Sequence, residues 1–315
     1  MIEWSNRALR TLSSEYTHGE KSPLPPKLRT FVWIVSFVLM QQVIASSAHA
    51  GAWTPKPGHG YTKFWVKWLP GFWYMDGAGN STDYGTYHEL FFNAYAEWGM
   101  LDGFAGWIHA PLVRNFWLED TRNGMFGYHI TPGDPALGLR LRVLKQGPFR
   151  LSIDASARAP LASGDPVQEV YSKESTPRLI ALLRVGRGVW EFQGGLSFGA
   201  GWSGFYTNAQ VSFIYMTGDF DSVISWNAEA GWSLPRGWQL RVRIAGWHPL
   251  GNGTAPYHDS LSGQGNGTQY IGFALETDVS LGNGWYAGLS LEGGLLLVQR
   301  QTGGPVLSPF VAKRF

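Results

Sequence analysis

The stretch GLRLRVLKQGPFRLSIDASARAP (138–160) alternates in character almost residue by residue. Arg140, Arg142, Arg150 and Arg158 hold even positions, while Leu139, Leu141, Val143, Leu151, Ile153, Ala155 and Ala157 hold odd ones. A period of two belongs to a strand and sorts side chains onto one apolar and one charged face. In a soluble β-protein the apolar face is the core. In an outer-membrane barrel it meets lipid, and the charged face meets a lumen.

The same alternation recurs along the chain. In Thr86–Trp98, Leu90, Phe92, Ala94, Ala96 and Trp98 oppose Glu89, Phe91, Asn93, Tyr95 and Glu97. Segments 61–69, 103–115, 177–185, 189–200, 222–234, 238–247, 269–281, 285–298 and 305–315 follow suit, and no amphipathic helix competes with them. Connections at 99–102, 145–148, 186–188, 235–237 and 282–284 are short. Those at 70–85, 116–133, 161–175, 201–221 and 249–266 are long and rich in Gly, Asn, Asp and Pro. Only the last outer link, 299–304, breaks the rule that long follows short. Short periplasmic turns and long outer loops produce such a rhythm, which predicts an all-β, up-and-down antiparallel transmembrane barrel of about 12 strands. Gln210–Met216 also alternates, and the rhythm assigns it to the fifth outer loop.

The start of the chain supplies the address. Lys27 and Arg29 precede FVWIVSFVLM (31–40), and Ala48-His49-Ala50 follows. A basic region, a short apolar run and an A-x-A end describe a secretory signal, so residues 1–50 are expected to be a cleaved leader. Residues 51–59 form a short lead-in, too brief for an N-terminal hatch, and 60–315 form one barrel domain. The chain has 25 Lys/Arg and 23 Asp/Glu, of which the leader holds five and three. The remainder carries 20 of each, which argues against nucleic acid as a partner. With no cysteine, disulfides, thiolate catalysis and Cys-ligated zinc are excluded.

Aromatic residues stand near strand ends: Trp98, Trp190, Trp232, Trp238, Trp247, Trp285 and Phe315. Rings with a polar handle prefer the headgroup zone, so lipid is the expected neighbour of the apolar faces and the outer membrane the expected location. The terminal Phe315, on one face with Val311 and Leu307, is similar to the signal read by the barrel-assembly machinery.

Three stretches resemble the MetA-pathway phenol-degradation family of Gram-negative outer-membrane transporters. They are ELFFNAYAEWGMLDGFAGWIHAPLVR (89–114), GDPALGLRLRVL (133–144) and ARAPLASGDP (157–166). The resemblance covers the first half of the chain after the leader and implies a barrel that passes small molecules. Trp98 stands where that family's motif has Tyr, and the aromatic usual after Arg142 is absent.

No constellation for catalysis emerges. None of His59, His88, His109, His129, His248 and His258 opens the His-x-Ser-Asn-Gly arrangement that a barrel lipase resembling the known phospholipase would need; Ser260 follows His258 by two places, but Leu261-Ser262 comes next. His88-Glu89 reads as a strand boundary, and the contiguous His258-Asp259-Ser260 cannot form a triad. Asp219 and Asp221 offer too few oxygens for calcium. No enzyme, cofactor or metal is expected.

The candidate substrate path is the inward face itself. Its cations are Arg140, Arg142, Arg150, Arg158, Arg178, Arg184, Arg241 and Arg243, with Lys63, Lys67 and Arg314 at other strands. Its acids are Asp154, Glu191, Glu229, Glu276 and Glu292, with Glu89, Glu97 and Asp278, and Tyr95 and Trp107 add aromatic surface. Two readings stand together: Arg–Glu pairs that fill the lumen, or a cationic stripe that selects anionic or aromatic solutes. The expected function is a small-solute channel or transporter. The alternatives are a non-conducting structural or surface-interaction barrel and a rim-located lipid-modifying enzyme.

Overall fold

The computed structural model describes residues 51–122, 124–251 and 260–315. The leader and the pair His258-Asp259 therefore lie outside the described residues. Twelve antiparallel strands close on themselves. They are β1 (Gly60–Gly71), β2 (Tyr87–Leu101), β3 (Phe104–Asp120), β4 (Ala136–Gln146), β5 (Phe149–Arg158) and β6 (Glu191–Trp202), followed by β7 (Phe205–Met216), β8 (Val223–Ser233), β9 (Trp238–Pro249), β10 (Gln269–Gly282), β11 (Trp285–Gln299) and β12 (Val306–Arg314). Each strand pairs with its chain neighbours, and β1 closes the ring on β12 with Tyr61 opposite Arg314 and Trp68 opposite Leu307. Closure leaves no sheet edge in the wall, the condition for a sheet to cross lipid.

The predicted count is met, but its membership changes. Pro177–Val185 is not in the wall: Leu179–Arg184 pairs with Pro166–Tyr171 as a hairpin of its own. Gln210–Met216 belongs to β7, bonded to β6 on one side and β8 on the other. Residues 201–221 are thus a tight turn at Ser203-Gly204, a strand and a short outer link. The stretch 186–188 is no periplasmic turn, and Trp190 sits at the outer end of β6. A lone alternating segment carries no mark of which neighbour it pairs with, so the two segments are indistinguishable locally.

Tight turns join the strands at the other end. Asn283 and Gly284 both take positive φ (49° and 78°), the two-residue primed turn whose twist suits a hairpin. Aromatic rings form a contiguous belt there: Phe198 on Phe149 (5.9 Å), Phe149 against Trp202 (6.4 Å), Trp202 on Phe205 (5.9 Å) and Phe205 against Trp232 (5.4 Å). Trp247 departs from its predicted place, because it opposes Ser225 and Tyr270 on the inward face.

Outward faces are apolar and exposed, as Leu139, Leu141, Ile153, Phe192, Phe213 and Ile244 illustrate. The band is the lipid surface. Ile244 lies midway along β9, so Ile244→Arg should destabilise the barrel by about 2–4 kcal/mol, read as a lower midpoint for loss of the compact electrophoretic form. Unchanged stability would place Ile244 away from hydrocarbon.

Candidate functional site: the barrel lumen

The inward face carries most of the predicted residues, and register explains how they meet. Arg140 faces Asp154 across β4–β5. Its Nε donates to Asp154 Oδ1 (2.7 Å) and its Nη1 to Glu97 Oε1 (2.8 Å). Tyr95 donates to Glu97 (2.8 Å) and Ser197 to Asp154 (2.9 Å), so both carboxylates are fully engaged. Trp107 stacks on Tyr95 at 6.2 Å and covers Gly138, where any Cβ would strike the indole.

Most of the other charges also find partners. Arg158 and Arg187 both donate to Glu191, at 3.0 and 2.7 Å. Lys63 reaches Glu276 (2.8 Å), which also takes Arg241, and Arg241 further engages Asp278. Lys67 pairs with Glu292 at 3.1 Å. Glu229 accepts from the Tyr206 hydroxyl. Arg314 donates to the Tyr286 hydroxyl. At the short-turn end Arg150 is bonded to the Gly147 and Phe149 carbonyls (both 2.7 Å), and Arg142 to Asp102 (2.8 Å). That hydrogen bond holds the Asp102 carboxyl below its ordinary range.

Two predicted lumen residues are elsewhere. Arg178 is exposed in the outer loop between β5 and β6, pairing with Glu174 at 3.5 Å. Arg184 is buried in the same loop's hairpin and donates to the Gly164 carbonyl. Both follow from taking Pro177–Val185 as a wall strand. Conversely, Arg114 lies in the lumen although strict alternation from Trp107 turns it outward. A register shift beside Pro111 puts Leu112 and Val113 both outward and resets the face for Arg114, Phe116 and Leu118. Proline lacks the N–H a regular ladder needs, and it was the available signal.

The hairpin-bearing loop, 159–190, folds across the long-loop mouth. Val170, Ala181, Leu183 and Val185 bury against Tyr84, Tyr87, Phe116, Leu118 and Leu261. Arg114 pins it from below by donating to the Val185 carbonyl (2.6 Å) while pairing with Glu89 (3.0 Å). Leu183 is fully buried, so Leu183→Ala should weaken docking by about 2–5 kcal/mol. Faster proteolysis within 159–190, with the barrel intact, is the expected readout. Equal cleavage rates would show that the cluster does not hold the loop.

From the other end the lead-in enters the lumen. Ala52 donates its N–H to Asn208 Oδ1 (3.0 Å) and accepts from Ser152 Oγ (2.7 Å). Trp53 sits edge-on to Tyr206 at 5.7 Å with its carbonyl toward Arg140 (3.4 Å), and Arg142 donates to Thr54 (3.2 Å). The nine residues too short for a hatch domain are therefore themselves a luminal element.

The two intrusions leave two cavities in the lumen. An upper cavity of about 1150 Å³ is lined by Trp65, Lys67, Phe91, Arg158, Gln210 and Tyr270 among others. A lower one of about 260 Å³ is lined by Tyr61, Lys63, Tyr95, Arg241 and Glu276 among others. Gly51, Arg140, Glu229, Arg243 and Ala274 border both, making a charged waist.

The histidines stand apart. His88 stacks on Trp68, His109 on Trp65 and His248 on Trp226; His59 lies 3.2 Å from the Phe315 carbonyl oxygen and His129 3.2 Å from Gln168 Oε1. The loop of Asp219 and Asp221 is tied to Asn266 through main-chain groups.

No protein-family model matches the sequence, and no curated protein matches it. Among solved structures the chain is similar to an outer-membrane channel from Pseudomonas putida F1, with a TM-score of 0.58 and 10% identity over 86% of this chain and 100% of that one. It is also similar to the KdgM porin (TM-score 0.47, 6% identity, 81% and 99% covered). A third similar structure is the CymD monoaromatic hydrocarbon channel (TM-score 0.41, 9% identity, 82% and 89% covered). The shared feature is the fold, a closed β-barrel of the kind found in Gram-negative outer-membrane channels and porins.

Proposed function

We propose that this chain is a narrow passive channel for small solutes in the outer membrane. The observation that carries the reading is the pair of adjacent cavities that share a charged border inside a closed barrel. The resemblance of 89–114, 133–144 and 157–166 to the MetA-pathway phenol-degradation family supports the same reading. The leader directs export, Phe315 serves as the assembly signal, and the cargo is small anionic or aromatic compounds.

Most luminal arginines are neutralised by carboxylates, so they narrow the bore more than they charge it. Arg243 differs: among the described residues it forms no ion pair. Anion preference therefore rests on Arg243. Planar-bilayer recordings of the purified barrel should show small, anion-preferring currents, and Arg243→Gln should reduce that preference. Absence of current at every voltage would overturn the channel reading. It would favour the non-conducting barrel, for which the apolar hairpin docked in the mouth is the supporting feature.

A further inference from the structure

Arg243 lies at the foot of an ordered patch on the upper-cavity wall. Three neighbouring rows of inward residues cross β7–β10. The lowest row holds Asn208, Glu229, Arg243 and Ala274, paired in that order. The next holds Gln210, Asn227, Ala245 and Gly272, and the third Ser212, Ser225, Trp247 and Tyr270. All twelve line the upper cavity except that Ala274, Arg243 and Glu229 also border the lower. Rows two residues apart along a strand are separated by roughly 7 Å, so the patch is about 13 Å tall.

Each row offers a different chemistry. Six cationic side chains line the upper cavity, and five of them are ion-paired: Lys67, Arg114, Arg140, Arg158 and Arg187. Arg243 is the sixth and, among the described residues, makes no direct ion pair; Glu276 and Glu292 act on it only at longer range, and its row neighbour Glu229 is engaged by Tyr206. Its planar fork is free to take a carboxylate in two parallel hydrogen bonds.

The middle row is an amide ladder. Asn227 Nδ2 donates to Gln210 Oε1 (3.2 Å), Gln210 Nε2 to Ser212 Oγ (3.4 Å) and Gln193 Nε2 to the same oxygen (3.0 Å). These bonds orient the amides and leave each primary amide a second N–H and spare lone pairs. Beside them Ala245 and Gly272 keep the wall recessed. In the third row Trp247 and Tyr270 are cross-strand partners that line the cavity, with the Arg187 guanidinium over the Trp247 ring at 5.0 Å.

The geometry points to a binding site for a hydroxylated carboxylic acid, a sugar acid, with its carboxylate on Arg243, its hydroxyls on the Gln210–Asn227 ladder and its ring carbons against Trp247 and Tyr270. This rests on, and deepens, the channel reading, since the same chamber is the conduit. A simple inorganic anion uses only the arginine. An aromatic acid without hydroxyls displaces water from the amides and returns no hydrogen bonds, a loss for groups already desolvated. A neutral sugar leaves the guanidinium without its counter-charge.

Titration calorimetry on the purified full barrel in detergent, with sodium glucuronate, glucose and sodium benzoate as probes, tests this independently of any current. Glucuronate should bind tighter than either comparator by on the order of tenfold. Arg243→Gln should erase the preference over glucose, and Asn227→Leu the preference over benzoate, in proteins that keep the compact electrophoretic form. Equal binding of glucuronate and benzoate, or unchanged binding in Arg243→Gln, would overturn the sugar-acid site and leave the channel reading standing. Glucuronate binding by a barrel that carries no current would support the site and sink the channel.

Discussion

Deletion of residues 52–57 is expected to raise the single-channel conductance several-fold while leaving the barrel folded. The lead-in occupies the lumen at the level of Ser152, Arg140 and Asn208, just where the two cavities meet. It is held by side chains of the wall rather than by the sheet's own ladder, apart from an isolated bridge between Pro57 and Gly99. Removing it takes no strand from the closed ring. The groups it leaves behind, Ser152 Oγ, Asn208 Oδ1 and the Arg142 guanidinium, face a bore that water then fills, so they suffer no lasting loss of hydrogen bonds. Unchanged conductance with an intact compact form would show that the limiting constriction is the hairpin at the opposite mouth.

Arg140→Met should be among the most destabilising single changes in the lumen. Arg140, Glu97 and Asp154 are all buried, and one guanidinium answers both carboxylates. Removing it strands two acids in a confined space, a situation that costs about 3–5 kcal/mol when a buried pair loses one partner. The expected result is a sharply lower midpoint for thermal or urea conversion of the compact form. Combining Arg140→Met with Glu97→Gln and Asp154→Asn should recover much of the loss, because neutral groups no longer require a counter-charge. If the single variant is as stable as the parent, the triad is solvated and contributes little.

Part of the site was legible because alternation is a backbone property. The leucines of 139 and 141 and Ile153 are exposed on the outer wall, while Arg140 and Asp154 face each other within. Arg114 escaped because one shift beside Pro111 reverses which parity points inward. Arg178 and Arg184 were misplaced for a different reason: LIALLR (179–184) alternates as regularly as any wall strand, yet its partner is VQEVY in its own loop.

The sequence by itself determined that this chain closes as an antiparallel barrel with oil outward and charge inward, since a two-residue period and paired turn lengths are local quantities. Tertiary structure alone decided which alternating segment entered the wall, that 51–57 and 159–190 enter the barrel from opposite ends, and that Arg243, among the described residues, makes no direct ion pair. Those outcomes depend on register between strands distant in sequence and on the room left once the ring has closed, and neither is written in any short stretch of residues.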